Sequence, residues 1–332
     1  KELGGEVLEL LEELGDKQYL AEISGHTITP ENFLGIEINP RAAAIAQLVL
    51  WIGYLQWHFK VNGEERMPEP PVLRDVKTID CRDALIEYDR KELERDEQGR
   101  PVTRWDGETM KPHPVTGKPV PDEAARVEVF RYVNPRPAKD WPQAEFVIGN
   151  PPFHGARTIG GKSDFGYIDA IREVRSGIPE HADFVMYWWD IAASLVQDKT
   201  ARRAGLITTK SITQQFSRKI TAARLLSRRP ISLAFAIPNH PWVDNADGAD
   251  VRVAFSVIQA GSRPGRLLTE ANAEWIDEGF CRLTFNEESG KISPRFTIGT
   301  DLGHAVKLKA NSGVCSVGYQ LTGEGFKVPD DN

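Results

Sequence analysis

Apolar residues fall at Leu3, Val7, Leu10, Leu11 and Leu14, a helical spacing that predicts one amphipathic helix over 1–14. Asn32-Phe33-Leu34-Gly35-Ile36-Glu37-Ile38 has the form of a short buried strand ending in a carboxylate. Pro40 then opens a long helix reaching to about Trp57, since proline is tolerated in a first helical turn. Residues 76–79 predict a second strand, followed by Cys81-Arg82-Asp83-Ala84-Leu85. Residues 89–140 break the rhythm. They are charged and proline-rich, with two similar turn units, Gly99-Arg100-Pro101-Val102 and Gly117-Lys118-Pro119-Val120. The pattern predicts an inserted hairpin excursion ending in a strand at 127–133, placed on the surface where insertions are tolerated.

The alternation then resumes, with strands predicted at 145–149, 204–209, 231–237 and 251–258 and helices at 182–196 and 217–227. Alternating strands and helices imply the α/β class with a doubly wound sheet. Beyond Gly261-Ser262-Arg263-Pro264-Gly265 the helical period fades and glycine rises. The expected division is a catalytic domain over 1–260, carrying the excursion 89–140, and the start of a smaller β-rich region over 261–332.

Composition narrows the class only a little. The 332 residues are 40% hydrophobic and 27% charged, which fits a globular chain able to bury a core. No apolar run approaches the ~20 residues of a membrane span. Cys81, Cys281 and Cys315 are far apart and form no CxxC pair, so neither a disulfide framework nor a zinc site is indicated, and no metal is expected. A reducing bacterial cytoplasm is the expected setting. The net charge of −7 conceals an uneven distribution. Between 199 and 229 stand Lys199, Arg202, Arg203, Lys210, Arg218, Lys219, Arg224, Arg228 and Arg229 with no acidic residue among them. Phosphate binding depends on such local potential, although a solvated helix face would look the same.

Chemistry enters at Phe146-Val147-Ile148-Gly149-Asn150-Pro151-Pro152-Phe153. A hydrophobic strand delivers an Asn-Pro-Pro-aromatic turn at its carboxyl end, where open α/β sheets bind ligands. Two prolines stiffen the backbone and remove two N–H donors. What remains is a rim of acceptors, the Asn150 side-chain oxygen and the Pro151 carbonyl, beside an aromatic ring. An exocyclic amine is a poor nucleophile because its lone pair is delocalised into the ring. Two acceptors on its two N–H bonds favour a tetrahedral nitrogen and offset the positive charge that develops on it. Phe153 would stack on the base, a contact worth roughly 1–3 kcal/mol.

With these residues the chain resembles the class I, S-adenosylmethionine-dependent amino-methyltransferases, and above all the MmeI-like DNA adenine methyltransferases of bacterial restriction-modification systems. The resemblance extends over nearly the whole chain. It is carried by Phe33-Leu34-Gly35-Ile36-Glu37-Ile38-Asn39-Pro40, by Ile148 to Phe153, and by Ala182-Asp183-Phe184-Val185-Met186-Tyr187-Trp188-Trp189. Gly205-Leu206-Ile207-Thr208-Thr209-Lys210-Ser211-Ile212 and Ala236-Ile237-Pro238-Asn239-His240-Pro241-Trp242 complete it. It implies a Rossmann-like sheet, S-adenosyl-L-methionine as cofactor, and N6 of adenine in double-stranded DNA as acceptor, with a nuclease domain or subunit as a further partner. Asn150, Pro151, Pro152 and Phe153 are the implied catalytic residues. Glu37 and Ile38 would hold the cofactor ribose, Asp83 its adenine amino group, and Asn150 would border the same site. Lys210, Arg218, Lys219 and Trp242 are the candidate DNA contacts. Tyr187, Trp188 and Trp189 fit a packed core helix better than a site, and His154 a loop.

The chain departs from the family in lacking any acidic-Pro-Ala-Cys-Gly-Ser-Gly-like cofactor loop, which the resemblance places before Lys1. The glycine pair in Thr322-Gly323-Glu324-Gly325-Phe326 is a weak match. Such a polypeptide is expected to bind the cofactor poorly, with the neighbouring strands missing a shared central partner. Target specificity cannot be read from 301–332, which resembles only the beginning of a recognition region. Glutamine side chains in proteins and bases in RNA are alternative acceptors for the same corner, and an inactive DNA-binding fragment is a third reading. The excursion and the extension past 261 favour DNA.

Overall fold

A computed structural model of the chain describes residues 28–62, 78–107, 109–153, 164–242, 252–277 and 280–299. The expectations for 1–14, for residues 76 and 77, for His154 and for everything from 300 onward lie outside the described residues. In chain order the strands are β1 (Gly35–Glu37), β2 (Ile79–Cys81), β3 (Ile86–Glu87), β4 (Arg90–Leu93), β5 (Thr103–Trp105), β6 (Met110–Pro112), β7 (Pro119–Pro121) and β8 (Arg126–Glu128). They continue with β9 (Phe130–Val133), β10 (Arg136–Pro137), β11 (Phe146–Gly149), β12 (Arg203–Thr209), β13 (Ile231–Pro241), β14 (Arg252–Ala260), β15 (Gly265–Asp277) and β16 (Phe280–Gly290). The helices are α1 (Pro40–Asn62), α2 (Phe165–Val174), α3 (Met186–Gln197) and α4 (Gln215–Leu225), with a 3-10 turn at Lys210–Thr213.

Six strands form the main sheet, in the order β11-β12-β14-β13-β15-β16. The sheet is mixed: β11 and β12 run parallel, β14 is antiparallel to both β12 and β13, β15 is parallel to β13, and β16 closes a hairpin on β15. Gly265 is what lets β15 approach, since a Cβ there would lie 1.9 Å from the Leu233 carbonyl oxygen. Over 204–209 buried positions (Ala204, Leu206, Thr208) alternate with half-buried ones, and β13 opens on three buried residues, Ile231, Ser232 and Leu233. The glycine-rich turn at 261 does not end the sheet, which continues through 265–290.

The expected doubly wound order is present only in part. β1 and β2 form a separate parallel pair, and among the described residues β1 and β11 each keep one edge without a strand partner. The strand around Glu37 is accordingly not buried: Phe33, Leu34 and Ile38 are exposed, as are Phe146 and Ile148, the latter 88%. Ile45, Leu48, Val49 and Ile52 on α1 are exposed as well.

The principal core lies under α3. Val185, Met186, Trp189, Ala192, Ala193 and Val196 pack on Ala204, Leu206, Leu233, Ala236, Ala254 and Ile258 of the sheet. Trp189 is fully buried and its indole N–H donates to Ser256 Oγ at 3.1 Å, satisfying the polar atom that burial would otherwise penalise. Helix α3 starts at Met186, later than the pattern at 182 suggests, because residues 182–185 form a turn closed by Met186 N–H on the Asp183 carbonyl.

The excursion is a long arm of nested antiparallel pairs, β4–β9, β5–β8 and β6–β7. Gly99 and Gly117, at the two turn units seen in the sequence, have φ of +79° and +69°, a region glycine enters freely. The base of the arm is not a surface decoration. Tyr132 joins Leu85, Ile86, Tyr167, Ala170, Ile171, Phe184 and Tyr187 in a second apolar cluster. Gly166 on α2 sits against the arm so closely that a Cβ would be 1.5 Å from the Phe130 carbonyl oxygen.

Candidate active site

A cavity of about 620 Å³ opens between the carboxyl end of β1 and the carboxyl end of β11. Its size is that of a small-molecule site. Glu37, Ile38, Asp83, Asn150, Pro151 and Pro152 all line it, so residues 113 positions apart in sequence share one wall. Phe153, Trp242, Lys210, Arg218 and Lys219 are not among its lining residues.

Each polar group in the wall is set by local structure. Glu37 ends β1, and its Oε1 accepts the Asn39 N–H at 2.8 Å in the turn that leads into α1. Its Oε2 has no hydrogen-bond partner among the described residues. Asp83 follows β2; its Oδ1 accepts the N–H groups of Leu85 at 2.7 Å and Ile86 at 3.3 Å, and its Oδ2 accepts the Tyr167 hydroxyl at 2.6 Å. Burial first, and the Asp83 charge second, push the Tyr167 phenol well above the ordinary tyrosine range, so it remains a proton donor at any working pH. Asn150 is exposed at the end of β11, while Pro151 behind it is buried. The Asn150 amide makes no hydrogen bond among the described residues, which leaves its oxygen available to a ligand.

The remaining wall consists of residues to which the sequence motifs gave no role in the site. Arg82 lines the cavity with its guanidinium held by the carbonyl oxygens of Lys139 and Asp140, each at 3.0 Å. Trp141, Phe146, Phe184 and Trp188 supply apolar surface. Of the three aromatics assigned to a core helix, Tyr187 and Trp189 are buried, whereas Trp188 is half-buried on the cavity.

Beside the cavity, Phe153 and Trp242 meet edge to face at 6.1 Å. His240, in the same strand end, is stacked on Phe285 at 6.0 Å and lies edge-on to Phe255 at 5.3 Å, a packed position within the sheet.

The basic stretch does not form one surface. Arg202 pairs with Glu145, Arg229 with Asp198, and Arg224 makes a bidentate pair with Asp190 at 2.7 and 2.8 Å. Lys199, Arg202 and Arg203 line a different cavity at the amino end of β12. Lys210 is exposed at its carboxyl end, on the side of Asn150. The Thr209 and Ser211 hydroxyls on either side of Lys210 both donate to Asp183 Oδ2, which fixes that turn to the segment before α3. Arg218 is half-buried on α4, and Lys219 lies over the Phe216 ring at 5.5 Å. Among the described residues no group of three or more metal-ligating side chains occurs, and no helix is long and apolar enough to cross a membrane.

The solved type IIL restriction-modification enzyme MmeI in complex with DNA is 24% identical over 48% of this chain and 20% of that one, with a TM-score of 0.35. A modification subunit of a putative type I restriction enzyme from Vibrio vulnificus YJ016 is 14% identical over 42% of this chain and 28% of that one, with a TM-score of 0.28. The chain thus spans less than a third of the length of either structure. No curated protein sequence matches it. The assignment rests on the family match, which is described as the MmeI DNA-methyltransferase domain and runs over residues 2–268. The chain belongs to the MmeI DNA-methyltransferase domain family.

Proposed function

We propose that the chain is the catalytic part of a DNA adenine-N6 methyltransferase that takes its methyl group from S-adenosyl-L-methionine. The observation that carries this reading is the single cavity onto which Glu37, Asp83 and Asn150 converge. The wall suits the nucleoside half of that cofactor. Glu37 Oε2 is an unengaged acceptor for ribose hydroxyls, Asp83 is an acceptor for an amine, and the apolar side chains of Ile38 and Trp141 lie beside them. When bound, the cofactor supplies an electrophilic methyl group on a sulfonium. Asn150 Oδ1 and the Pro151 carbonyl accept the two N–H bonds of the target amine and hold its nitrogen for in-line attack. No titratable side chain occurs in the Asn150 to Phe153 turn, so the displaced proton leaves to solvent after transfer.

The target base must leave the duplex to reach this corner, at a cost of about a few kcal/mol. Phe153 and Trp242 would receive it, and Lys210, Arg218 and Lys219 would hold the neighbouring phosphates. The setting is a bacterial restriction-modification or phage-defence system in the cytoplasm, with a nuclease domain or subunit as partner. A division into a catalytic domain over 1–260 and a recognition region beginning at 261 belongs to the same reading, as does a doubly wound sheet completed by a strand between β1 and β11. Among the described residues β1 and β11 each keep one edge without a strand partner, which favours a second reading of weak cofactor binding and little activity. Transfer of labelled methyl to plasmid DNA, compared with RNA and protein, by the full-length protein separates these. Label on N6 of adenine is expected; label confined to RNA or protein would exclude the DNA assignment.

A further inference from the structure

The Asp83 carboxylate is held more tightly than a loop aspartate usually is. An ionised carboxylate offers about four acceptor sites. Leu85 N–H, Ile86 N–H and the Tyr167 hydroxyl occupy three, so one is left for a single N–H donor from the cavity. Tyr167 is itself fixed from behind. Its ring packs edge-on to Tyr132 at 5.7 Å and to Phe184 at 6.3 Å. Its backbone N–H donates to Asp164 Oδ1 at 3.1 Å, the N-cap bond of α2. Asp164 Oδ2 in turn accepts the Tyr132 hydroxyl at 2.7 Å and Lys91 Nζ at 2.6 Å, both from the inserted arm. Lys91 also lies over the Phe130 ring at 4.4 Å. Hydrogen bonds therefore tie β4 and β9 to the α2 N-terminus at Asp164. Tyr167, bonded to Asp164 through its backbone and to Asp83 through its hydroxyl, carries the link to Asp83. The missing side chain of Gly166 allows the close approach on which it depends.

The geometry points to Tyr167 as a positioning residue for cofactor recognition, and to the inserted arm as the brace that fixes it through Asp164. Tyr167 aims the last free lone pair of Asp83 at one exocyclic N–H of a purine, so the arm sets how well the site tells an amino group from a keto group at that position. This inference rests on the cofactor reading above and adds to it the residues that set the selectivity.

The test is calorimetric titration of the full-length protein with S-adenosylhomocysteine and with S-inosylhomocysteine, which carries a carbonyl in place of the amine. The unaltered protein should prefer the adenosyl compound. Tyr167→Phe, which keeps the packed ring, should weaken that compound about 5- to 10-fold and the inosyl compound little, so the preference narrows. Tyr132→Phe, two hydrogen bonds further from Asp83, should shift the ratio in the same direction by less. A fall of equal size for both ligands, or an unchanged ratio in Tyr167→Phe, would overturn the positioning role while leaving the cofactor reading intact. Failure of the unaltered protein to bind either compound would remove the cofactor reading, and this inference with it.

Discussion

The Phe153 and Trp242 rings meet edge to face, with centroids 6.1 Å apart and planes at 87°. One closes the Asn-Pro-Pro-Phe turn and the other follows β13, so the contact ties the carboxyl ends of two sheet strands together across 89 positions of sequence. Trp242→Ala should remove one wall for an extruded base. Base–aromatic stacking is worth roughly 1–3 kcal/mol, so methyl transfer to duplex DNA should fall about 5- to 100-fold. Steady-state rates on a duplex with a mispaired target base, where extrusion is cheaper, should recover part of the loss. An equal loss on both substrates would point to packing alone.

Lys210 and Arg218 make no ion pair among the described residues, in contrast to the bidentate Arg224. If they contact phosphates, each replacement by alanine should reduce the slope of log affinity against log salt by about 0.9. Filter binding between low and moderate salt measures this directly. Arg229→Ala, at an ion-paired position, should leave the slope unchanged.

Gly166 admits no side chain, because a Cβ would overlap the Phe130 carbonyl at 1.5 Å. Gly166→Ala must push α2 off the arm, and overpacking of this kind costs typically 1–3 kcal/mol or more. Thermal unfolding should show a clear fall in Tm. Gly53→Ala, in the middle of α1 with nothing within 4 Å of the added carbon, should be neutral or slightly stabilising.

The arm should loosen in acid before the core does. Hydrogen bonds from Asn134 and then Arg136 hold the Asp89 carboxyl below its ordinary value, and Arg90 and then Arg131 do the same for Glu92. Backbone N–H groups of Arg100 and Ala124 lower Asp96 and Asp122. A folded-state value below the unfolded one means stabilisation that is complete above the unfolded range of about 3.9–4.3 and is lost as pH falls through the folded value. Amide exchange corrected for its intrinsic rate should therefore show residues 89–133 losing protection below about pH 4 while α3 keeps its own. Equal protection of arm and core down to unfolding would contradict this.

Much of the fold was readable from apolar patterning, and the exceptions have physical causes. Strands β12 and β13 announced themselves because Ala204 and Leu206 of the one and Ile231, Leu233 and Ala236 of the other belong to the principal core. The hairpin β15–β16 was readable only as part of a β-rich region past the turn at 261, although Thr269, Ala271, Ala273 and Trp275 alternate with Glu270, Asn272 and Glu274 at the period of a strand. Helix α2 was overlooked behind the glycine and serine that precede it, although Asp164 as N-cap with Tyr167, Ile168 and Ile171 at helical spacing was a usable signal. The strand at Glu37 was expected to be buried from its run of apolar residues, yet it is half exposed because one edge lacks a strand partner among the described residues. At the site, the motif residues could be named in advance because their chemistry is local. Tyr167, Arg82 and Trp188 could not, because only the folded arm and helices bring them to the cavity.

The central claim is that Asn150 offers its oxygen to the amine under attack, and Asn150→Ala in the full-length protein tests it most directly. Loss of one acceptor aimed at developing charge is worth roughly 1.5–3 kcal/mol. Single-turnover methyl transfer should therefore fall at least ~10–100-fold, with DNA affinity little changed. Undiminished turnover in that variant would contradict the account.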